Sequence, residues 1–250
     1  MPRYDFRTPR LYIDAPLEAG ASLALDAAQA NYLGNVLRLG SGDAVQVFNG
    51  RDGEWRTSLT SGGKRKLALV VGTRTRPQTA ALDLHYLFAP LKHARLDYMV
   101  QKAVEMGASR LQPVLTRHAQ AARVNLERMR ANAIEAAEQC GILTLPEIGT
   151  PLAFETMLAE RAPARLLVFC DEHAEVKDPV AALNAARGGA GPIPAAVLIG
   201  PEGGFAEDER AALLKQPNCV RLALGPRILR ADTAAVAALA LVGAVLGDWR

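Results

Sequence analysis

From residue 82 onward, short apolar runs alternate with segments whose apolar residues recur at helical spacing, and this alternation constrains the fold more than any other feature. It is typical of α/β domains with a mainly parallel sheet. The apolar runs predict strands at Leu82–Phe88, Arg110–Leu115, Leu166–Cys170, Ala195–Ile199 and Val220–Leu224. The predicted helices are Arg95–Met106, Val124–Cys140, Phe154–Arg161, Pro179–Ala186, Glu207–Leu214 and Thr233–Leu246.

The first 76 residues show a different pattern, in which short alternating runs are separated by turns rich in glycine, asparagine and aspartate. Short strands at this spacing are typical of a small β-barrel, and a helical turn is expected within Asp26–Leu37. The predicted strands are Leu11–Ile13, Ser22–Leu25, Ala44–Phe48, Glu54–Leu59 and Leu67–Val71. Because Thr73–Ala80 is polar and lacks periodicity, we place the domain boundary there, giving domains at residues 1–76 and 77–250.

The basic residues are concentrated in the first domain. Residues 1–76 hold 11 Lys or Arg and 7 Asp or Glu, whereas the remaining residues hold 18 and 19. A basic first module beside a nearly neutral second one suggests an anionic partner docked by the first. An ordinary arginine-rich surface would give the same count, so charge alone leaves both interpretations open.

Cysteine and histidine usage excludes several classes of protein. The three cysteines form no Cys-x-x-Cys pair and the four histidines have no metal-ligand spacing, so we expect no disulfide framework and no metal site. The first residues include no apolar signal segment, and the longest apolar stretch, Ala234–Gly247, is too short to cross a bilayer. We therefore expect a cytoplasmic protein without a membrane partner.

The first segment that can carry chemistry is the turn Gly200-Pro201-Glu202-Gly203-Gly204, which follows the apolar run Ala195–Ile199. Ligands of α/β sheets lie at the carboxyl ends of strands, and glycines let the backbone approach a ligand closely. The turn matches neither the dinucleotide fingerprint nor a Walker loop, and the Glu202 carboxylate would repel phosphate. A cationic or neutral ligand fits better, although a plain tight turn remains an alternative.

The second segment, Leu222–Ala234, also runs from a strand through a glycine-bearing loop into a helix. Arg227 and Arg230 flank two large apolar residues, and Asp232 or Thr233 is expected to cap the helix that follows. A surface ion pair with a helix cap is the simpler interpretation of these polar residues. The helix is apolar nearly all round, which favours a position in the core and at a subunit interface.

Together the two segments are far more specific than either alone. The sequence GPEGGF, followed about 20 residues later by LGPRILRADTA, resembles the RsmE-type family of ribosomal RNA uridine N3-methyltransferases in the SPOUT superfamily. The resemblance extends to Arg10-Leu11-Tyr12, Val36-Leu37-Arg38, Gly42-Asp43, Gln101–Ala108 with Pro113, and Glu138-Gln139-Cys140. The chain departs from the family pattern at Asp232, Ile142 and Tyr32, where the family commonly has glutamate, a basic residue and histidine.

The resemblance implies a homodimer with a PUA-like N-terminal barrel and a trefoil-knotted methyltransferase domain. Its cofactor would be S-adenosylmethionine, held between the knot loops Ile199–Phe205 and Leu222–Arg230, and its substrate uridine 1498 in the 16S ribosomal RNA of the small subunit. The implied cofactor-binding residues are Leu198, Ile199, Gly200, Pro201, Glu202, Gly203, Gly204, Leu222, Leu224, Gly225, Ile228, Leu229 and Thr233.

Methylation at N3 requires loss of the N3 proton and stabilisation of the charge that develops on the uracil oxygens. Arg230 is the first candidate for that stabilisation and Arg227 the second, while Glu202 and Asp232 are candidates to accept the proton or orient Arg230. The main candidates for RNA contacts are Arg10, Arg38, Lys92, Arg95, Lys102 and Arg227, with Arg51, Arg56, Lys64, Arg65 and Lys66 as further N-terminal candidates. For each of these cations, plain surface charge is the simpler explanation.

Three other functions are compatible with parts of the pattern. A methyltransferase of the same superfamily with another target, such as transfer RNA, would share both loops. A non-catalytic RNA-binding or ribosome-assembly protein could keep the fold, although the intact Gly200, Glu202, Gly225 and Arg230 argue against lost activity. A nucleotide-binding oxidoreductase is disfavoured by the missing dinucleotide fingerprint.

Overall fold

The computed structural model describes residues 5–62, 66–120, 123–175 and 178–249. Contacts divide the chain into two compact units, of which the first comprises Met1–Ala80 and Ala137–Leu145 and the second Ala81–Ala136 and Pro146–Arg250. The single boundary between residues 76 and 77 stays a prediction. Because the first unit also includes Ala137–Leu145, it consists of two separate segments of the chain, and a single boundary does not describe it.

The first unit is built on a five-stranded sheet in the order β1-β3-β4-β5-β2. Strands β1 and β3 pair in parallel, and the other neighbouring pairs are antiparallel. The apolar core includes Val45 and Val47 of β3 and Leu69 and Val71 of β5, whose two-residue spacing puts them on one face of the sheet, together with Leu33 of the π-helical turn. The elements are β1 Arg10–Tyr12, β2 Ser22–Ala24, α1 Ala27–Asn31, a π-helical turn Tyr32–Val36, β3 Ala44–Phe48, β4 Glu54–Gly62 and β5 Lys66–Arg76.

All five predicted strands are present, but β5 continues through Arg76 and thus extends into the segment Thr73–Ala80, where we place the domain boundary. The polar residues Arg74 and Arg76 pair with Trp55 and Glu54 of β4, so backbone pairing extends the strand where apolar periodicity has ended.

The stretch Ala137–Leu145 supplies hydrogen-bond acceptors to the first unit. The Glu138 carboxylate accepts from the backbone N–H of Tyr12 at 2.8 Å, and the Glu138 carbonyl accepts from Nη1 of Arg10 at 3.3 Å. The carbonyl of Gly141 accepts from Nη1 of Arg76 at 2.8 Å. These bonds join the edge strand β1 and the end of β5 to a part of the chain far away in sequence.

The second unit has a sheet in the order β12-β10-β11-β6-β7-β8, with β9 also pairing with β7. Every pairing recorded between its described strands is parallel, so the predicted α/β class is confirmed. The strands are β6 Leu84–Phe88, β7 Arg110–Leu115, β8 Glu147–Ile148, β9 Leu152–Ala153, β10 Leu166–Cys170, β11 Ala195–Ile199 and β12 Cys219–Leu222. The helices are α2 His93–Glu105, α3 Leu126–Cys140, α4 Phe154–Glu160, α5 Pro179–Ala186, α6 Glu207–Leu214 and α7 Ala231–Val245. Only the two-residue strands β8 and β9 were not expected.

Helix α7 begins two residues earlier than predicted. Arg230 is its N-cap, in an extended conformation and without a side-chain hydrogen bond to the helix. The predicted capping by Asp232 or Thr233 was wrong, because both residues lie inside the first turn. The N–H of Thr233, at 2.9 Å, is the only donor to the Asp232 carboxylate among the described residues.

One face of α7 packs within the second unit, where the helix contacts α2, α5 and β11. The remaining face is half-exposed or exposed and carries mainly small and apolar side chains, namely Thr233, Val236, Ala237, Ala240, Leu241 and Ala244. Among the described residues, no helix has the length and hydropathy of a membrane span.

Candidate active site

A cavity of about 420 Å³ lies in the second unit where β12, β10 and β11 end. These three strands are neighbours in the sheet, so the residues that follow them meet at one edge, as expected of a parallel sheet. The predicted cofactor residues that line the cavity are Ile199, Gly200, Pro201, Glu202, Gly204, Leu222, Leu224, Gly225, Ile228 and Leu229. Three others are not in its lining: Leu198 is buried in the core, Gly203 faces His118, and Thr233 is exposed on α7.

The loop after β11 is a tight turn held by residues that follow β7. The N–H of Gly204 donates to the carbonyl of Pro201 at 2.9 Å, and Nδ1 of His118 lies 3.1 Å from the carbonyl oxygen of Gly204. The buried Glu209 carboxylate accepts from the N–H groups of Arg117 and Ala206 at 2.8 and 2.9 Å. The turn and the start of α6 are thereby joined to the segment after β7.

Two glycines of this turn are required by the space around them. A Cβ on Gly200 would lie 2.9 Å from Cε2 of Phe205, whose ring belongs to the core beneath the turn. Gly204 has φ +71°, a left-handed conformation, and a Cβ there would lie 3.0 Å from Oε1 of Glu172. The sequence signal of repeated glycines thus has a steric cause at both positions.

Glu202 borders the cavity, but its carboxylate is already bound on both sides. It forms an ion pair with Arg95 of α2, and its other oxygen accepts from Nε2 of Gln120 at 2.5 Å. The structure thus brings together Glu202, predicted for catalysis and cofactor binding, and Arg95, predicted for RNA contact. Gln120 was not predicted for any role.

The loop after β12 presents two arginines to the cavity. Arg227 and Arg230 are exposed, and no acceptor among the described residues lies within hydrogen-bonding distance of either guanidinium group. Between them, Ile228 is 86% exposed, an unusual state for an isoleucine beside a cavity. The loop therefore offers positive charge and apolar surface without internal partners.

Asp232, the third predicted catalytic residue, does not line the cavity, although the preceding Ala231 does. Asp232 is half-buried. Burial raises the pKa of the Tyr86 hydroxyl well above its usual value, and electrostatic interaction with Cys170 and Asp232 adds to this effect. Tyr86 is fully buried, and its hydroxyl contacts Sδ of Met99 at 2.7 Å.

The residues that follow β10 complete the cavity, and sequence patterns missed all of them. Asp171, whose side chain is 2% exposed, pairs with Nε of Arg221 at 2.8 Å and with Nε of Arg210 at 3.2 Å. Glu172 follows it in the lining, and burial raises the pKa of the preceding Cys170 thiol to about 12. The signal that could have found them is topological, because β10 lies between the two strands that carry the glycine loops.

The structure distributes the remaining RNA candidates unevenly. Arg38 and Lys92 are exposed, as are Arg51 and Arg56. Lys102 is half-buried, donates to Glu105 at 2.7 Å and lies 5.6 Å from the ring centroid of Tyr98. Lys64, Arg65 and the side chain of Lys66 lie outside the described residues.

The structure contradicts the expected RNA contact by Arg10. The side chain of Arg10 is only 4% exposed, and its Nε donates to the equally buried Glu54 carboxylate at 2.6 Å. A phosphate could not reach it without breaking this pair. No cluster of three His, Cys, Asp or Glu residues suited to a metal occurs among the residues described.

Family models match both parts of the chain. Residues 25–72 match the RNA methyltransferase PUA domain, and residues 78–243 match the RNA methyltransferase domain. The predicted PUA-like module followed by a methyltransferase domain is therefore confirmed.

Curated relatives and solved structures agree with these matches over nearly the whole chain. The ribosomal RNA small subunit methyltransferase E of Rickettsia conorii is 30% identical over 93% of this chain and 94% of its own length. The enzyme of the same name from Synechocystis is 33% identical over 90% of this chain and 74% of its own length. The Neisseria gonorrhoeae protein of that name, solved with S-adenosylmethionine, superposes with a TM-score of 0.82 at 25% identity, covering 97% of this chain and 100% of that structure. The chain thus belongs to the ribosomal RNA small subunit methyltransferase E family.

Proposed function

We propose that this protein transfers a methyl group from S-adenosylmethionine to N3 of a uridine in the 16S ribosomal RNA of the small subunit. The target uridine, number 1498, follows from the family alone. The observation that carries the proposal is the cavity at the ends of β12, β10 and β11, which is lined by both glycine-bearing loops, those that follow β11 and β12. Arg227 and Arg230 also line it, and neither guanidinium group has an acceptor among the described residues.

The lining of the cavity suits this cofactor. Its volume of about 420 Å³ lies in the range of sites for small molecules. Ile199, Leu222 and Leu229 offer apolar surface for an adenine ring, and Gly200 and Gly225 leave their backbone groups accessible. Carboxylates in the lining favour a ligand with cationic groups and hydroxyl donors. When bound, S-adenosylmethionine supplies an electrophilic methyl group.

The protein side chains have two tasks toward uracil. N3 is weakly nucleophilic while it carries its proton, so the site must favour the deprotonated base and align it. Arg230, and secondly Arg227, stabilise the negative charge that spreads to O2 or O4. Their lack of internal acceptors leaves the guanidinium groups available for this contact.

Glu202 or Asp232 accepts the N3 proton or orients Arg230. The Glu202 carboxylate already accepts from Arg95 and Gln120, so an incoming proton would have to occupy one of the remaining lone pairs of its oxygens. The Asp232 carboxylate accepts a hydrogen bond from the adjacent N–H of Thr233. Asp232 lies in the first turn of α7, two residues after Arg230. Substitution of each carboxylate by its amide separates the two candidates.

Docking of the ribosomal RNA uses exposed cations of both units. Arg38, Arg51 and Arg56 serve the PUA-like unit, and Lys92 serves the methyltransferase unit. Contacts of this kind are made to phosphates and position the RNA without specifying its sequence. The affinity for RNA should therefore fall steeply with salt, and less steeply after loss of one contacting cation.

The protein acts as a homodimer in the cytoplasm, where its ribosomal substrate is found, and its chain follows the knotted path of its superfamily. The half-exposed apolar face of α7 supports the dimer, since a second subunit would cover side chains such as Val236 and Leu241. Sedimentation of the Ala240→Glu variant as a monomer would agree with this interface.

A methylation assay tests the proposal most directly. Small subunits that lack the native modification are incubated with the protein and labelled S-adenosylmethionine, and the nucleosides are identified by mass spectrometry. Labelled 3-methyluridine in 16S ribosomal RNA is the expected result. Label in a transfer RNA pool instead would replace the target, and cofactor binding without label in any RNA would favour a non-catalytic role in ribosome assembly.

A further inference from the structure

Glu172 is the residue that the site leaves unexplained. It follows the central of the three strands that end at the cavity, and it lines the cavity between the two family loops. Its side chain is 46% exposed, whereas that of the preceding Asp171 is 2% exposed. Two neighbouring carboxylates thus differ sharply in their surroundings.

Three carboxylates line the cavity, and two of them are satisfied by the protein. Asp171 is neutralised by Arg221 and Arg210, and Glu202 by Arg95 with a further bond from Gln120. Glu172 accepts no hydrogen bond from the described residues, and Nε2 of the exposed His173 ring lies 3.8 Å from its Oε1. A carboxylate with free acceptors is thereby directed at the ligand space.

The carboxylate of Glu172 lies opposite Gly204, which has no side chain to occupy the space between them. Oε1 of Glu172 lies 3.0 Å from the position that a Cβ of Gly204 would occupy, so a side chain at Gly204 would press on it. Oε1 of Glu172 therefore lies beside the glycine turn, while the side chain as a whole is 46% exposed. A polar group in such a position gains most from a ligand that supplies the missing donors.

We propose that Glu172 accepts hydrogen bonds from the ribose hydroxyls of S-adenosylmethionine. The proposal rests on the proposed function, because it requires this cofactor in the cavity. The vicinal hydroxyls present two O–H donors side by side, which match the two oxygens of one carboxylate. Glu172 follows the middle of the three strands that end at the cavity, so its carboxylate is within the cavity lining between the two loops that follow β11 and β12.

The test compares cofactor fragments by isothermal titration calorimetry on the full chain. Methylthioadenosine contains the adenine and ribose of the cofactor but lacks its amino-acid group. Glu172→Gln should weaken the binding of both S-adenosylmethionine and methylthioadenosine by about tenfold, since hydrogen bonds to a charged group are lost. The matched control is Glu207→Gln, which removes the same charge at an exposed position in the first turn of α6, away from the cavity.

A ligand that lacks one ribose hydroxyl tests the proposed contact directly. The 2′-deoxy form of methylthioadenosine should bind the wild type more weakly than methylthioadenosine, and Glu172→Gln should reduce that difference. If Glu172→Gln binds S-adenosylmethionine more weakly but binds methylthioadenosine with unchanged affinity, the carboxylate contacts the methionine ammonium group and the ribose assignment is wrong. Unchanged affinity for both ligands would overturn it as well.

Failure of the cofactor assignment would look different, because the wild type would then not bind S-adenosylmethionine at all. Failure of the proposed RNA target would leave cofactor binding intact and is detected by the methylation assay. Thermal unfolding of Glu172→Gln in the absence of ligand checks that the variant is folded. If it is not, Glu172→Asp provides the second test, since it keeps the charge and withdraws it by one methylene. It should then weaken both ligands to an intermediate degree, and equal affinity for the wild type and this variant would count against the proposal.

Discussion

The two loops that border the cavity differ in how the chain holds them. The turn after β11 is bound by His118, Gln120 and Arg95, and its glycines fit closely against Phe205 and Glu172. The loop after β12 is exposed from Gly225 to Ile228, and its two arginines have no acceptor among the described residues. The cavity thus has a fixed wall, formed by the turn after β11, and an open wall, formed by the loop after β12, whose guanidinium groups have no partner among the described residues.

This difference separates two contributions to catalysis. A fixed wall has lost its conformational freedom on folding, so it binds a cofactor without further ordering. An open wall whose cations face the ligand space can respond to charge that appears only in the substrate complex. Substitutions in the first loop should therefore change cofactor affinity, and substitutions of the two arginines in the second loop should change turnover.

The largest effect is expected for Arg230→Ala. Loss of one group that stabilises developing charge costs about 100-fold or more in kcat, whereas the affinity for S-adenosylmethionine should change by about twofold at most. Single-turnover methylation together with calorimetry measures the two quantities. Arg227→Ala is the control within the same loop and should show the smaller loss. Methylation by Arg230→Ala at the wild-type rate would remove this residue from the mechanism.

A pair of glycine substitutions compares the two walls directly. Gly204 and Gly225 both have positive φ, but a Cβ on Gly204 meets Glu172 at 3.0 Å, and a Cβ on Gly225 meets no atom within 4 Å. Gly204→Ala should lower the free energy of unfolding by about 2 kcal/mol, because the hydrogen-bonded turn cannot relax away from the strained left-handed conformation, whereas the exposed Glu172 side chain can move aside. Gly225→Ala should cost about 1 kcal/mol or less, since an exposed loop can relax. Urea denaturation measures both, and equal losses would show that the second loop is as constrained as the first.

A smaller effect is expected for Gln120→Ala. The substitution removes one donor to the Glu202 carboxylate and should weaken S-adenosylmethionine binding by about fivefold, corresponding to about 1 kcal/mol. Arg117→Ala is the control from the same segment, because its ion pair with Asp208 is 60% and 61% exposed and should contribute little. Equal affinities in the two variants would mean that the first wall does not depend on Gln120.

The smallest effect concerns thiol reactivity. Burial raises the pKa of Cys170 to about 12 and that of Cys219 to about 11, so both thiols are protonated at neutral pH and alkylation should be slow. Their rates should rise with pH until these pKa values are reached, and the exposed Cys140 should react first. S-Adenosylmethionine should further protect Cys170, which lines the cavity, but not Cys219. Peptide mapping after iodoacetamide treatment measures each site.

Much of this architecture could be predicted because apolar periodicity is a local property. Strands β7, β10 and β11 lie where their apolar runs indicate, and α5 and α6 have the predicted bounds. A buried parallel strand needs a continuous apolar run, and a helix on its surface needs one apolar face. The glycine-rich turns could be located for the same reason, since they interrupt both patterns.

The features that were missed depend on contacts between distant residues. Arg10 has the composition of a surface cation, yet its pairing with Glu54 across 44 positions buries both side chains. Asp171 and Glu172 form no motif, and only the sheet order brings them beside the two loops. The start of α7 was misplaced because Asp232 and Thr233 have the side chains of good N-caps, while the backbone already turns at Arg230.

The composition of the first unit has a practical consequence for protein dissection. The methyltransferase family model spans residues 78–243 without interruption, yet Ala137–Leu145 packs with the N-terminal unit. A fragment ending at Ala80 would leave the N–H of Tyr12 and a guanidinium nitrogen of Arg76 without the acceptors that Glu138 and Gly141 provide. A stable N-terminal half therefore requires residues 137–145 to be grafted onto residues 5–80, so the place to divide this protein follows its hydrogen bonds rather than its sequence order.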